Sequence, residues 1–250
     1  NKESHNILEP KLSFRLSPHD MNNNSSLGRR IDNNNIFNDN RLSLNNALES
    51  GESITLGFDY KKEKIFVKNK ISEIENYIDF KLATVFRLDE EKNIPVNSTL
   101  NKKNSNIFGQ LKFNPFKNIS LDYNFSLTSD LNTLEYNSIT TNFEFNNFTT
   151  QFDFLEERGA VGVTNLISNS TKYKFNEENS LSFKTRRNRN LNLTEYYDLV
   201  YEYKNDCLIA GLKYKKNYYQ DADIQPMEEL FFSITIVPLT TFSPDRMVLK

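Results

Sequence analysis

Tryptophan is absent from this 250-residue chain, cysteine occurs once, and glycine and proline occur 7 times each. The single cysteine, Cys207, excludes an internal disulfide framework and leaves only a partner outside the chain. Scarce glycine argues against a soluble β-sandwich of this length, whose tight turns draw on it. No run of ~18 consecutive apolar residues occurs, which rules out a transmembrane helix. Neither sign of charge dominates. With 31 basic and 33 acidic side chains the net charge is −2, so no attraction to a bulk polyanion such as nucleic acid is implied.

Catalytic chemistry is equally thin. The two histidines, His5 and His19, flank the first expected strand and have no cysteine or paired carboxylates at ligand spacing. No glycine-rich phosphate loop, nucleophile elbow or metal motif occurs, so no cofactor is expected. Acidic pairs such as Glu156-Glu157 fall in expected loops, where a solvated run is the ordinary explanation. The chain reads as a non-enzyme.

What the chain does have is aromatic residues in a polar setting. Only 37% of residues are hydrophobic, yet 13% are aromatic, with 20 Phe and 12 Tyr. Mean hydropathy is −0.64. A disordered chain that polar should be poor in aromatics. Strands with one face toward water and the other toward lipid reconcile the two facts.

Strict alternation carries this reading. From Ile119 to Leu127 every odd position is apolar or aromatic, and Ser120, Asp122, Asn124 and Ser126 fill the even ones. At period two these sets lie on opposite faces of a strand. Similar stripes recur, among them Leu12-Phe14-Leu16, Ile54 to Tyr60, Phe80 to Leu88, Ile107 to Phe113 and Leu181 to Thr185. Tyr197 to Tyr203, Leu208 to Tyr214 and Leu230 to Ile236 follow. About twelve strands result, each near the ~9–11 residues that a tilted membrane strand needs. Short turns at 116–117, 146–147, 176–179 and 204–206 alternate with longer polar loops at 18–51, 89–104, 156–168, 188–194 and 220–228. Short turns on one rim and long loops on the other are the outer-membrane pattern, short side periplasmic. Segment 68–76 is too long for a periplasmic turn; it extends two strands past the membrane or forms a short helix.

The expected fold is therefore all-β: an antiparallel transmembrane β-barrel wall of about twelve strands, part of a larger barrel, in residues 1–238, with a carboxy-terminal tail at 239–250. An exported protein without a signal peptide at Asn1 is expected to derive from a longer precursor. Ser120, Asp122, Asn124, Glu144, Asp198 and Glu202 are expected to face a hydrated lumen. Phe145, Phe148, Tyr203 and Tyr214 suit an aromatic girdle. Arg29, Arg30, Arg186, Arg187 and Arg189 fall at the expected outer rim, where guanidinium forks suit glycolipid phosphate; solvated loop charges are the plainer reading.

Several stretches resemble the LPS-assembly protein family LptD in its carboxy-terminal barrel region. They are His5-Asn6-Ile7-Leu8-Glu9-Pro10, then Ile36-Phe37-Asn38-Asp39-Asn40-Arg41-Leu42-Ser43, then Phe86-Arg87-Leu88 running into Ser105-Asn106-Ile107-Phe108-Gly109. Tyr201-Glu202-Tyr203-Lys204-Asn205-Asp206-Cys207 and the closing strand complete the order. The resemblance implies insertion of lipopolysaccharide into the outer leaflet of a Gram-negative outer membrane. It also implies an LptE-type lipoprotein plug, a periplasmic bridge reached through an amino-terminal domain, and a lateral opening. Leu230, Phe232, Ile234 and Ile236 would form the carboxy-terminal edge of that opening. Cys207 matches a cysteine region that the family links by disulfide to its amino-terminal domain; an unpaired buried thiol is the alternative. A porin or siderophore-type receptor, or a soluble β-rich adhesin, are the rival readings.

Overall fold

The computed structural model describes residues 2–44, 48–68, 71–218, 227–236, 240–242 and 247–249. Twelve long strands carry the chain. They are β1 (Lys2–Ser17), β2 (Gly51–Lys68), β3 (Ile71–Arg87), β4 (Ile107–Phe116), β5 (Ile119–Leu127) and β6 (Leu134–Phe145), then β7 (Phe148–Glu157), β8 (Asn165–Lys174), β9 (Asn179–Asn188), β10 (Leu193–Lys204), β11 (Leu208–Asn217) and β12 (Met227–Ile236). Two short strands follow, β13 (Thr240–Phe242) and β14 (Met247–Leu249). Strand order is sequence order from β1 to β13, with β14 also on β12. The expected apolar stripes fall on the long strands, Leu88 just beyond the end of β3, and the fold is the antiparallel all-β wall that the alternation predicts. No helix among the described residues is long and apolar enough to cross a membrane.

The chain folds as two compact units: Asn1–Ile139 with Leu155–Thr164, and Thr140–Phe154 with Asn165–Lys250. In the first unit, β1 pairs with β2 from Lys2↔Phe66 to Ser17↔Gly51. The β2–β3 ladder runs from Ser53↔Arg87 to Lys68↔Ile71, slipping once at Lys62/Glu63. β4 pairs with β3 only from Ile78 to Ala83. Segment 68–76 is thus strand rather than helix, apart from residues 69–70, which lie outside the described residues; β2 and β3 extend well past the end of β4. His5 lies inside β1 rather than beside it.

Register puts stripe against stripe. Leu56 is opposite Leu12 and Thr84, Ile54 opposite Phe14 and Phe86, and Leu111 opposite Phe80 and Tyr123. A slip of one residue would send every apolar side chain to the other face. Leu12, Phe14 and Leu16 are 58%, 72% and 71% exposed. A soluble sandwich buries its stripes between two sheets; here that face is open, as a face meant for lipid should be.

The opposite face of β2–β4 corrects the sequence reading. The long loops at 18–50 and 88–106 are more than polar rim. Met21, Ile31, Ile36, Leu42 and Leu44 pack with Ile94 and Leu100, and all rest on Ala83, Val85 and Phe108. The two loops also hydrogen-bond to each other: the Asn24 amide to the Asn93 carbonyl at 2.8 Å, the Val96 amide to the Ser25 carbonyl at 3.2 Å. Gly57 on β2 permits this close approach. A Cβ there would sit 2.7 Å from the Leu82 carbonyl oxygen and 2.9 Å from the Phe37 ring.

In the second unit the stripes again align. Leu181 is opposite Tyr173 and Tyr201, and Leu212 opposite Tyr201 and Phe232. Asparagine makes the tight turns. Asn146 takes a positive φ of 46° between β6 and β7. The Asn176 side chain accepts from the amides of Glu178 and Asn179, and the Asn205 side chain from those of Cys207 and Leu208. Asn therefore does the work that scarce glycine does elsewhere, since its short polar side chain tolerates the left-handed region. Of the expected loop 220–228, only Met227 and Glu228 are described, and they belong to β12. The stretch expected as a tail contributes β13, paired with Ile234–Ile236, and β14, paired with Glu228–Leu230.

Candidate functional site

Away from the part of β2–β4 that the loops cover, the face opposite the exposed stripe carries paired polar groups. In the first unit Lys11 reaches Asp59 at 2.7 Å, and Asp122 lies 3.8 Å from Lys112 and accepts from Asn124 at 2.8 Å. In the second, Asp198 lies 3.2 Å from Lys213 and Glu202 4.0 Å from Lys172. On the stripe side of the second unit, Thr150 and Thr171 share a hydrogen bond of 2.8 Å, and Asn169 donates to Thr150 at 3.0 Å. Ser120 is half-buried and engaged, and Glu144 is exposed. Cations face carboxylates across these strands, so the face is close to neutral. Such a surface suits a polar head group.

A buried charge cluster, which the sequence did not announce, ties the folded loops to this face. Glu49 takes the Arg41 guanidinium on both carboxylate oxygens, at 2.7 Å and 2.5 Å, and the Arg87 Nη1 at 2.5 Å. Arg41 also donates to Thr55 at 2.9 Å and Ser53 at 3.1 Å. Arg87 donates to the Ser50 carbonyl, and Arg15 to the carbonyls of Asp39 and Asn38 at 2.7 Å and 2.9 Å. Arg15 Nε stands 3.9 Å from Glu49. Burial by itself would raise the Glu49 carboxyl; the Arg41 hydrogen bond and the charges of Arg41, Arg15 and Arg87 outweigh it and hold it below the usual carboxylate range. Two of these arginines sit in the stretches that carry the family resemblance, Asn40-Arg41-Leu42 and Phe86-Arg87-Leu88. That was the available signal, although the carboxylate they share could not be read from it.

Each rim arginine has contacts within its own unit. Arg30 pairs with Glu157 and lies 4.2 Å above the Tyr136 ring. Arg29 is held by its backbone amide, which donates to Asn97 at 3.0 Å. Arg186 pairs with Glu195, Arg187 donates to Asn192, and Arg189 lies 6.0 Å from the Phe154 ring. Arg186 and Arg187 end β9 with Arg189 just beyond it, the first two engaged with close neighbours. Leu230, Phe232, Ile234 and Ile236 lie on β12 as expected, but β12 is not the outermost strand, since β13 and β14 occupy its far edge. Cys207 is a free, exposed thiol directly before β11, which removes the buried-thiol alternative.

No curated protein matches the chain in sequence. Solved structures similar to it include three engineered variants of the porin of Rh. blastica, each 8% identical, with 98% of this chain and 100% of the porin covered at a TM-score of 0.38. The family described as "LptD: LPS transport system D" matches residues 1–161. That span holds β1 to β7, the two packed loops and the Glu49 cluster, and it is well over half of the chain. Its membership points to lipopolysaccharide transport at a bacterial outer membrane, and the chain belongs to the LptD family.

Proposed function

We propose that this chain is part of the barrel wall through which lipopolysaccharide reaches the outer leaflet of a Gram-negative outer membrane, acting as a conduit and not as a catalyst. The observation that carries the reading is the two-faced wall. Register-matched apolar stripes stand open on one side, and near-neutral pairs of polar groups lie on the other. An amphiphile can keep its acyl chains against the first while its head follows the second. An LptE-type lipoprotein would fill the lumen, and a periplasmic bridge would deliver cargo through an amino-terminal domain. The carboxy-terminal side of the lateral opening then falls to β13 and β14 beyond β12. Cys207 would bridge to a cysteine outside this chain, and its exposure after the Asn205 turn supports that reading.

The test is photo-crosslinking in living cells from the Glu202 position, on the polar face of β10. Lipopolysaccharide adducts are expected there, disappearing when its supply from the inner membrane is stopped. No adduct at Glu202, with small-solute uptake through the protein instead, would replace this reading with the porin one.

A further inference from the structure

The first unit contains a cavity of about 350 Å³ where the first long loop meets β4, β5 and the start of β6. That is within the ~300–1,000 Å³ range of ligand pockets. Planar amides and carboxylates line it, among them Asn33, Asn97, Gln110, Asp122 and Asn124. Gln110 is 5% exposed, and its Oε1 has no hydrogen-bond partner among the described residues. A buried acceptor left unmet is costly, so the site is short of one donor.

Charge decides what could supply it. Arg30 is committed to Glu157 and to the Tyr136 ring, and Lys112 stands 3.8 Å from Asp122. Asp32 adds a further negative group to the lining. Both cations of the lining already face carboxylates, which disfavours a phosphate, and a free metal ion would meet Arg30 and Lys112. What remains is a set of amide and carboxylate edges that can donate and accept side by side, the arrangement that adjacent hydroxyls require. Buried Ile31, Phe108 and Val161 supply apolar surface for the C–H faces of a ring.

We propose that this cavity is a saccharide site that takes one or two pyranose units. Only the source of the sugar, the polar head of a glycolipid, rests on the function proposed above; the chemistry of the pocket does not. The loop segment 30–34 forms one wall, so the packing of that loop onto β4 builds the site.

The experiment uses the full-length protein in an amine-oxide detergent, which carries no sugar, with saturation-transfer NMR as the readout. The probe is a de-acylated, dephosphorylated lipopolysaccharide oligosaccharide, and inorganic phosphate is the competing arm. Saturation of pyranose ring protons is expected, with affinity weakened about tenfold, or about 1.4 kcal/mol, by Asn124→Leu. Should that variant fail to fold, Asn34→Cys in a Cys207→Ser background, blocked by a bulky maleimide at the exposed loop, should abolish transfer. Absence of transfer, transfer unchanged in both variants, or displacement of the sugar by phosphate would each overturn the site. Adducts at Glu202 without oligosaccharide binding would sink the pocket and leave the transport reading standing; binding without adducts would do the reverse.

Discussion

Glu49 meets three arginines, and each comes from a different stretch of chain: Arg15 from β1, Arg41 from the first long loop, Arg87 from the end of β3. The side chains of Glu49, Arg41 and Arg87 are almost wholly buried. Removing the carboxylate at the centre leaves buried guanidinium groups facing one another with their main counter-charge gone, a loss of about 3–5 kcal/mol for a buried pair. Because the folded carboxyl titrates below its ordinary value of ~4.3, its contribution is fully present above about pH 4.3 and fades as pH falls through the depressed value. Glu49→Gln should therefore free the loop at 18–50 for protease cleavage at pH 7, whereas the unaltered protein should be cut there only in acid. An unchanged digestion pattern at neutral pH removes the role given to Glu49. Two of the arginines lie in the stretches that carry the family resemblance, but the carboxylate they share was not legible beforehand. Glu49 sits among Asn, Ser and Leu in a stretch with no period, and only folding brings it to Arg87 from 38 positions away.

Strands were far more legible than the loops between them, and the reason is periodic. On β5 the side chains from Ile119 to Leu127 must alternate faces, so apolar spacing alone gives both the element and its orientation. The packed loops offer no such rule. Ile31, Ile36, Leu42 and Leu44 are scattered in Asn-rich sequence, and composition makes the whole stretch read as solvated. One clue existed on β3: Ala83 and Val85 occupy the face that should be polar, and a lipid wall has no reason for apolar side chains there unless something covers them. The same periodicity yields a test of facing. Tyr123→Arg places a charge on the stripe and should cost about 2–4 kcal/mol near the midplane, while Asn124→Arg on the neighbouring polar face should cost far less. Equal losses in a folding titration would mean the two faces are not what the alternation makes them.

At the scale of the whole chain, the family match takes in nearly all of the first unit and the β6–β7 hairpin of the second, and the second unit continues the same two-faced pattern through β8 to β12. Cys207 belongs to this second unit. Its thiol is exposed, its amide is held by Asn205, and no other cysteine exists in the 250 residues. On the short-turn rim it would meet the oxidising periplasm, where an accessible thiol with a nearby partner does not stay reduced. A covalent tie from this rim to an amino-terminal domain would fix where cargo enters relative to the wall, which strand pairing cannot do. The full-length protein should then change mobility on a non-reducing gel when a reductant is added, and Cys207→Ser should show the reduced mobility under both conditions. If the shift persists in Cys207→Ser, the bridge lies elsewhere, and if no shift occurs in the unaltered protein, Cys207 is a bare surface thiol and the entry domain must be held by packing alone.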